Sequence, residues 1–208
     1  MSNKLIINDL ECFRGEKLIF KRLSCNIESN QSMLIRGTNG SGKTSFLRTI
    51  AGYINKYNGS ILFNDNDLQQ EKSLLSNFQF IGQKYSLKEN LTVLQNIEMW
   101  KLIYSSKKNI NEILEQLDIR SLLNKDINSL SDGQKKRVSL SRLLLSNSMV
   151  WLLDEPLVFL DEDKSNLLAS MISNHNNSGG ITLYSSNTDT NLQSVSYTHL
   201  TLPTNREV

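Results

Sequence analysis

The eight residues Gly37-Thr38-Asn39-Gly40-Ser41-Gly42-Lys43-Thr44 constrain this chain more than any other stretch, because they satisfy G-x-x-x-x-G-K-[ST] at every fixed position. The pattern works only between a buried strand and a helix. Met33-Leu-Ile-Arg36 ahead of it is short and apolar enough for such a strand, and Ser45-Phe-Leu-Arg-Thr-Ile50 behind it reads as a helix. Glycines let the loop wrap a polyphosphate, whose negative charge then meets the backbone N–H groups and the positive end of the helix. Lys43 would reach the β/γ-phosphates and the Thr44 hydroxyl would hold Mg²⁺, with Ser45 closing the phosphate-binding stretch.

The remainder of the chain predicts an α/β fold. Short β-branched or apolar runs at Leu5–Ile7, Leu18–Phe20, Leu23–Ile27 and Gly59–Phe63 give a strand-rich start. From about residue 90 the period changes, with Ile110, Ile113, Leu114 and Leu117 at helical spacing behind Asn109 as N-cap, and a rougher stripe at Leu94, Ile97 and Tyr104. Residues 86–129 therefore form a helical insert, and the next helix extends that subdomain to about residue 142. Met149–Leu153 and Ile181–Tyr184 are continuous enough to be strands buried on both faces. Residues 173–180, rich in Asn and Ser, read as a connecting loop, and there is no internal repeat.

A phosphate loop names a ligand and not a job. The strand Met149-Val-Trp-Leu-Leu153 delivers two carboxylates, Asp154 and Glu155, at its C-terminal end, where ligands of α/β sheets sit. Asp154 is expected in the Mg²⁺ shell; Glu155, one residue on, would polarise an attacking water.

Between loop and carboxylates lies Leu130-Ser131-Asp132-Gly133-Gln134, opening a helix at Ser131. Here the chain resembles the ATP-binding cassette (ABC) family, whose signature is Leu-Ser-Gly-Gly-Gln at a helix start, and the resemblance spans roughly residues 4–187. It implies a P-loop NTPase of ABC type, with a mixed or parallel sheet core, an N-terminal antiparallel β subdomain and the helical insert. The cassette would occupy residues 1–194, with 195–208 a tail of doubtful origin that has no helical period. In the family the signature caps ATP held by a second cassette, which implies a head-to-tail dimer and assigns Ser131, Gly133 and Gln134 to a partner's nucleotide. Carried over the same way, Phe13 matches the aromatic that stacks on adenine, although a lone Phe there is a core residue about as often. Gln83 matches the glutamine that senses Mg²⁺ and the γ-phosphate, and Asp161 the aspartate loop that communicates across the dimer.

Two positions depart from the family pattern. Asp132 replaces the first signature glycine and would add negative charge near a partner's γ-phosphate unless it points away; Asn187 stands at the switch-histidine position and cannot carry a positive charge. Asn187 therefore predicts slow hydrolysis with ATP binding kept, and leaves open a hydrolysis-impaired cassette.

Within the family, the sequence around Arg36–Arg48, Leu130–Arg142, Trp151–Pro156 and Ser178–Ile181 is most similar to the ATP-binding subunits of cytochrome c maturation exporters, long described as haem exporters. That implies a peripheral protein on the cytoplasmic face of a bacterial inner membrane, with an integral membrane transporter subunit as partner. The cassette of another small exporter would share every ATP motif. Soluble cassette proteins acting on ribosomes or DNA usually carry two cassettes or a long insertion, and this chain has neither.

Composition agrees. Net charge is +2 with lysines and arginines dispersed, so no nucleic-acid footprint is implied, and the basic run Lys135-Lys-Arg137 reads as a solvated helix face. No apolar stretch approaches the ~20 residues needed to span a bilayer, so the chain is expected to be soluble by itself. Cys12 and Cys25 lack metal-ligand spacing and point to a reducing compartment. His175 and His199 belong to no Cys-x-x-Cys-His pattern, so no direct haem ligation is inferred and both are expected to be surface histidines.

Overall fold

Parallel strands covered on both faces need apolar residues at successive positions, and the side-chain period of two then splits them between two cores. The computed structural model, which describes residues 2–54, 57–187 and 197–202, has this arrangement. Strands β1 (Lys4–Arg14), β2 (Lys17–Glu28), β3 (Ser32–Arg36), β4 (Tyr57–Phe63), β5 (Asn66–Asp67), β6 (Phe78–Ile81), β7 (Val150–Leu153), β8 (Ile181–Ser185) and β9 (Tyr197–Thr201) build two sheets. One is antiparallel, in the order β2-β1-β4-β5. The other is parallel, in the order β6-β7-β8-β3-β9. Helices α1 (Lys43–Ile50), α2 (Val93–Ile103), α3 (Ile110–Gln116), α4 (Asp132–Leu145) and α5 (Glu162–Asn177) surround the parallel sheet.

Met33, Ile35, Val150, Leu152, Ile181 and Leu183 pack with the antiparallel sheet and α1. Their alternates Leu34, Trp151, Leu153 and Tyr184 pack instead with the helical insert and α5. Phe20 of β2 meets Phe46 of α1 edge-on, ring centroids 5.7 Å apart, which ties the antiparallel sheet to the helix behind the phosphate loop.

The antiparallel start has longer strands than the runs of the sequence suggest. Leu18–Phe20 and Leu23–Ile27 belong to one strand, β2, because the breaks between them are register shifts in the β1–β2 ladder, with Asp9 and Arg22 at φ 44° and 53°. In the insert, α2 opens on a capping box: the Gln95 N–H donates to Thr92 Oγ1 and the Thr92 N–H to Gln95 Oε1. Asn109 caps α3 as expected, accepting from the Asn111 N–H. The insert is fastened to α4 where the Arg142 guanidinium lies 4.4 Å over the Trp100 ring.

Two expectations around α5 are corrected. Residues 173–180 are not a loop: α5 continues to Asn177, and only Ser178–Gly180 connect it to β8. The Asn content misleads because Asn176 is 5% exposed and its amide is used inward, donating to Ser32 Oγ at 2.7 Å and accepting from Thr182 Oγ1 at 2.9 Å. His175 is likewise no surface histidine. It lies half-buried and stacked on Trp151, ring centroids 3.9 Å apart, and burial pushes its pKa down to about 4, so it is neutral at neutral pH.

Of the tail set apart at 195–208, Tyr197–Thr201 form β9 beside β3, and Leu202 joins the core beneath the antiparallel sheet. Residues 195, 196 and 203–208, and the His199 side chain, lie outside the described residues.

The Asn176 amide joins α5, β3 and β8 through buried polar groups. Replacing Asn176 with Ala is expected to lower stability by about 2 kcal/mol by leaving both hydroxyls short of a partner. Urea denaturation of the two proteins measures this, and a change below about 0.5 kcal/mol would show the network to be dispensable.

Candidate functional site

In the parallel sheet, the ends of four neighbouring strands bring the expected residues to one edge. Gln83 follows β6, Asp154 and Glu155 follow β7, Asn187 follows β8, and the loop Gly37–Thr44 follows β3. The ladder persists past the strands, with the Asp154 N–H donating to the Ile81 carbonyl and the Ser186 N–H to the Ile35 carbonyl. A cavity of about 480 Å³ opens there. Asn39, Gly40, Gly42, Lys43, Thr44, Ser45, Gln83, Glu155 and Asn187 line it, together with Ile19 from β2.

The loop is shaped by its last glycine. Gly42 has φ 103°, and a Cβ there would come 2.9 Å from Ile19 Cγ2, so both conformation and packing demand glycine. Gly42 also caps α1 without a side-chain bond, which leaves first-turn N–H groups of the helix available to an anion. Lys43 bends back so that its ammonium donates to the Gly37 carbonyl at 2.6 Å and the Thr38 carbonyl at 3.1 Å. Burial lowers its pKa, against the opposing pull of Glu155 and Asp154. Ser41 Oγ is buried in the loop without a hydrogen-bond partner. Unpaired donors, a lysine and a glycine cradle together fit a polyphosphate.

The carboxylates are held from several sides. Asp154 is 1% exposed and takes the Thr44 hydroxyl, 2.8 and 3.0 Å from its two oxygens, and the Ser185 hydroxyl at 2.9 Å. Hard oxygen donors from Thr44 and Asp154 so close together suit Mg²⁺. Glu155 sits in the left-handed region at φ 49°. Its N–H donates to Ser185 Oγ at 2.9 Å, its carbonyl accepts from Lys136 Nζ at 3.3 Å, and its Oε1 accepts from the Asn187 amide.

Lys136 corrects the expectation of a solvated basic face. It is 2% exposed, and burial pushes its pKa down to about 8, partly offset by Asp154 and Glu155; it remains cationic at neutral pH. Arg137 is partly covered and pairs with the exposed Asp118 carboxylate at 3.0 Å. The spacing Lys136, Leu140, Leu143 is that of a buried helix face, a signal hidden by the three consecutive charges. Ser185 and Ile19 were likewise not anticipated. Ser185 ends a fully buried strand, where a hydroxyl needs a partner, whereas a half-buried Ile in β2 carries no signal of its own.

The other expected residues lie outside the cavity. Ser131 and Gln134 form a reciprocal capping box at the start of α4. Gly133 packs against the loop after Glu155: a Cβ there would come 2.7 Å from the Phe159 carbonyl oxygen. Asp161 caps α5, accepting from the Lys164 N–H at 2.8 Å. Asp132 lies near Tyr85 in the segment behind Gln83, and burial followed by this carboxylate pushes the Tyr85 hydroxyl up. Phe13 is half-buried in the β1–β2 hairpin, paired with Leu18, and does not line the cavity.

Comparison with known proteins identifies the family. The ABC transporter sequence family matches residues 20–158. The cytochrome c biogenesis ATP-binding export protein CcmA of Reclinomonas americana is 36% identical, with 91% of this chain and 87% of that protein aligned. The protein of the same name from Wolbachia pipientis is 38% identical, with 88% of each covered. A solved structure of a putative ABC transporter ATP-binding protein from Pyrococcus furiosus superposes with a TM-score of 0.80 at 29% identity, covering 96% of this chain and 97% of that one. Among the described residues no helix is long and apolar enough to cross a membrane. The chain belongs to the ABC transporter family, as one of its ATP-binding subunits.

Proposed function

We propose that this chain binds and hydrolyses ATP to energise an integral membrane partner in cytochrome c biogenesis, working as a head-to-tail pair of cassettes at the cytoplasmic face of the bacterial inner membrane. The contact between the Thr44 hydroxyl and the Asp154 carboxylate carries the hydrolytic part, since it brings the phosphate loop and the acidic strand end to one point. Similarity to cytochrome c biogenesis export proteins supports the pathway, and the molecule moved, haem or another, would be chosen by the membrane partner.

In this mechanism Gly37–Ser45 cradle the phosphates, and Lys43 exchanges its loop carbonyls for β/γ-phosphate oxygens. Thr44, Asp154 and Gln83 would hold Mg²⁺, which when bound neutralises phosphate charge. Glu155 accepts a proton from water, its carboxylate aimed by the Asn187 amide. Ile19 offers apolar surface within the cavity, and Phe13, outside it in the β1–β2 hairpin, would stack on the adenine. Ser131, Gly133, Gln134 and Asp161 serve the nucleotide of a second cassette. Residues 1–194 would act as the cassette, with β9 adding a strand to its parallel sheet and the helical subdomain at about 86–142.

Glu155→Gln is expected to keep ATP binding while lowering the turnover of the assembled complex at least about 100-fold. Comparing equilibrium binding of a fluorescent ATP analogue with phosphate release checks this, and an unchanged rate would remove Glu155 from the reaction. Asn187→His is expected to raise the steady-state rate by restoring a group that can be cationic; a rate equal to that of the unmodified complex would end that role for the position. For the pathway, deletion of the gene is expected to abolish covalently haem-bearing cytochromes, read by haem staining after denaturing electrophoresis. Normal cytochromes would assign the cassette to another small exporter.

A further inference from the structure

A fully buried lysine beside a carboxylate pair requires an account that the nucleotide contacts do not supply. Lys136 lies on α4, does not line the cavity, and sends its ammonium to the backbone carbonyl of Glu155 at 3.3 Å. Burying a cation costs several kcal/mol unless opposite charge and hydrogen bonds offset it. Here the offsetting charges are Asp154 and Glu155. The carbonyl it holds belongs to a residue at φ 49°, a conformation that a non-glycine residue keeps only when its surroundings impose it. The N–H of the same residue is held by Ser185, and its carboxylate by Asn187. Its carbonyl also accepts from the Val158 N–H at 3.3 Å, so Glu155 is fixed at both peptide groups and at its side chain, and Lys136 supplies the only cation among these four partners.

We infer that Lys136 is a positioning residue for hydrolysis: it pins the Glu155 peptide in its left-handed turn, which aims the carboxylate into the cavity, and it does so from the helix that begins at Ser131 and Gly133. The inference rests on Glu155 acting on water as proposed above. Its place differs from that of Lys43, which lines the cavity itself.

The test uses the full-length chain in its membrane complex, with Lys136→Met, Lys136→Arg and Glu155→Gln prepared side by side. Glu155→Gln tests the underlying reading independently, since its loss of turnover must appear before Lys136 can be interpreted through Glu155. Lys136→Met is expected to bind trinitrophenyl-ATP within about threefold of the unmodified protein and to keep its KM for ATP, while kcat falls about 10- to 100-fold as misplaced groups do. Lys136→Arg, which retains charge and donors, is expected to recover kcat to within about threefold. A kcat for Lys136→Met equal to that of the unmodified complex overturns the inference. Loss of folding or of nucleotide binding in Lys136→Met also overturns it, by assigning the lysine to the fold. An arginine variant no better than the methionine variant does so as well, because a held carbonyl would then not be what matters.

Discussion

The site depends on one buried carboxylate. Asp154 receives hydroxyl hydrogens from Thr44 at the start of α1 and from Ser185 at the end of β8, so the phosphate loop, the acidic strand and its neighbour share a single junction. At 1% exposure that carboxylate would be expensive to desolvate without these donors and the nearby cations Lys43 and Lys136. The parallel sheet makes the junction possible, because its order places β3, β8, β7 and β6 side by side with their C-terminal ends together. Strands far apart in sequence therefore present their following residues within one cavity.

Features set by backbone geometry were legible in the sequence. The glycine spacing in Gly37–Thr44, the apolar runs of β3, β7 and β8, and Ser131 or Asn109 as helix caps each have a local cause. What stayed hidden were groups whose partners are distant in the chain. Lys136 looks solvated beside Lys135 and Arg137, yet its partner is 19 positions away at Glu155. Asn176 looks like loop chemistry, but its partners are Ser32 and Thr182 on two strands. His175 has the composition of a surface residue and the stacking of a core one, because the Trp151 ring that covers it belongs to β7. Buried polar residues require a known partner before they can be told from exposed ones.

The two departures from the family pattern acquire local partners of their own. Asp132 faces Tyr85 in the segment behind Gln83, and its charge helps to raise the pKa of that hydroxyl. The Asn187 amide donates to Glu155 Oε1, which orients the carboxylate without adding a positive charge. In both cases the substituted residue meets a neighbour that its own chemistry suits.

Gly133 answers to a demand of packing. Its missing side chain admits the Phe159 carbonyl, where a Cβ would stand at 2.7 Å, and this seats the segment that carries 62%-exposed Phe159 and Asp161. That demand arises inside a single copy of the chain and persists whether or not any nucleotide is turned over. Selection on folding alone would therefore preserve this glycine in a descendant that had abandoned catalysis, and its survival is a poor fossil record of activity. Glu155, whose carboxylate has no comparable duty in packing, is where such a history would first be written.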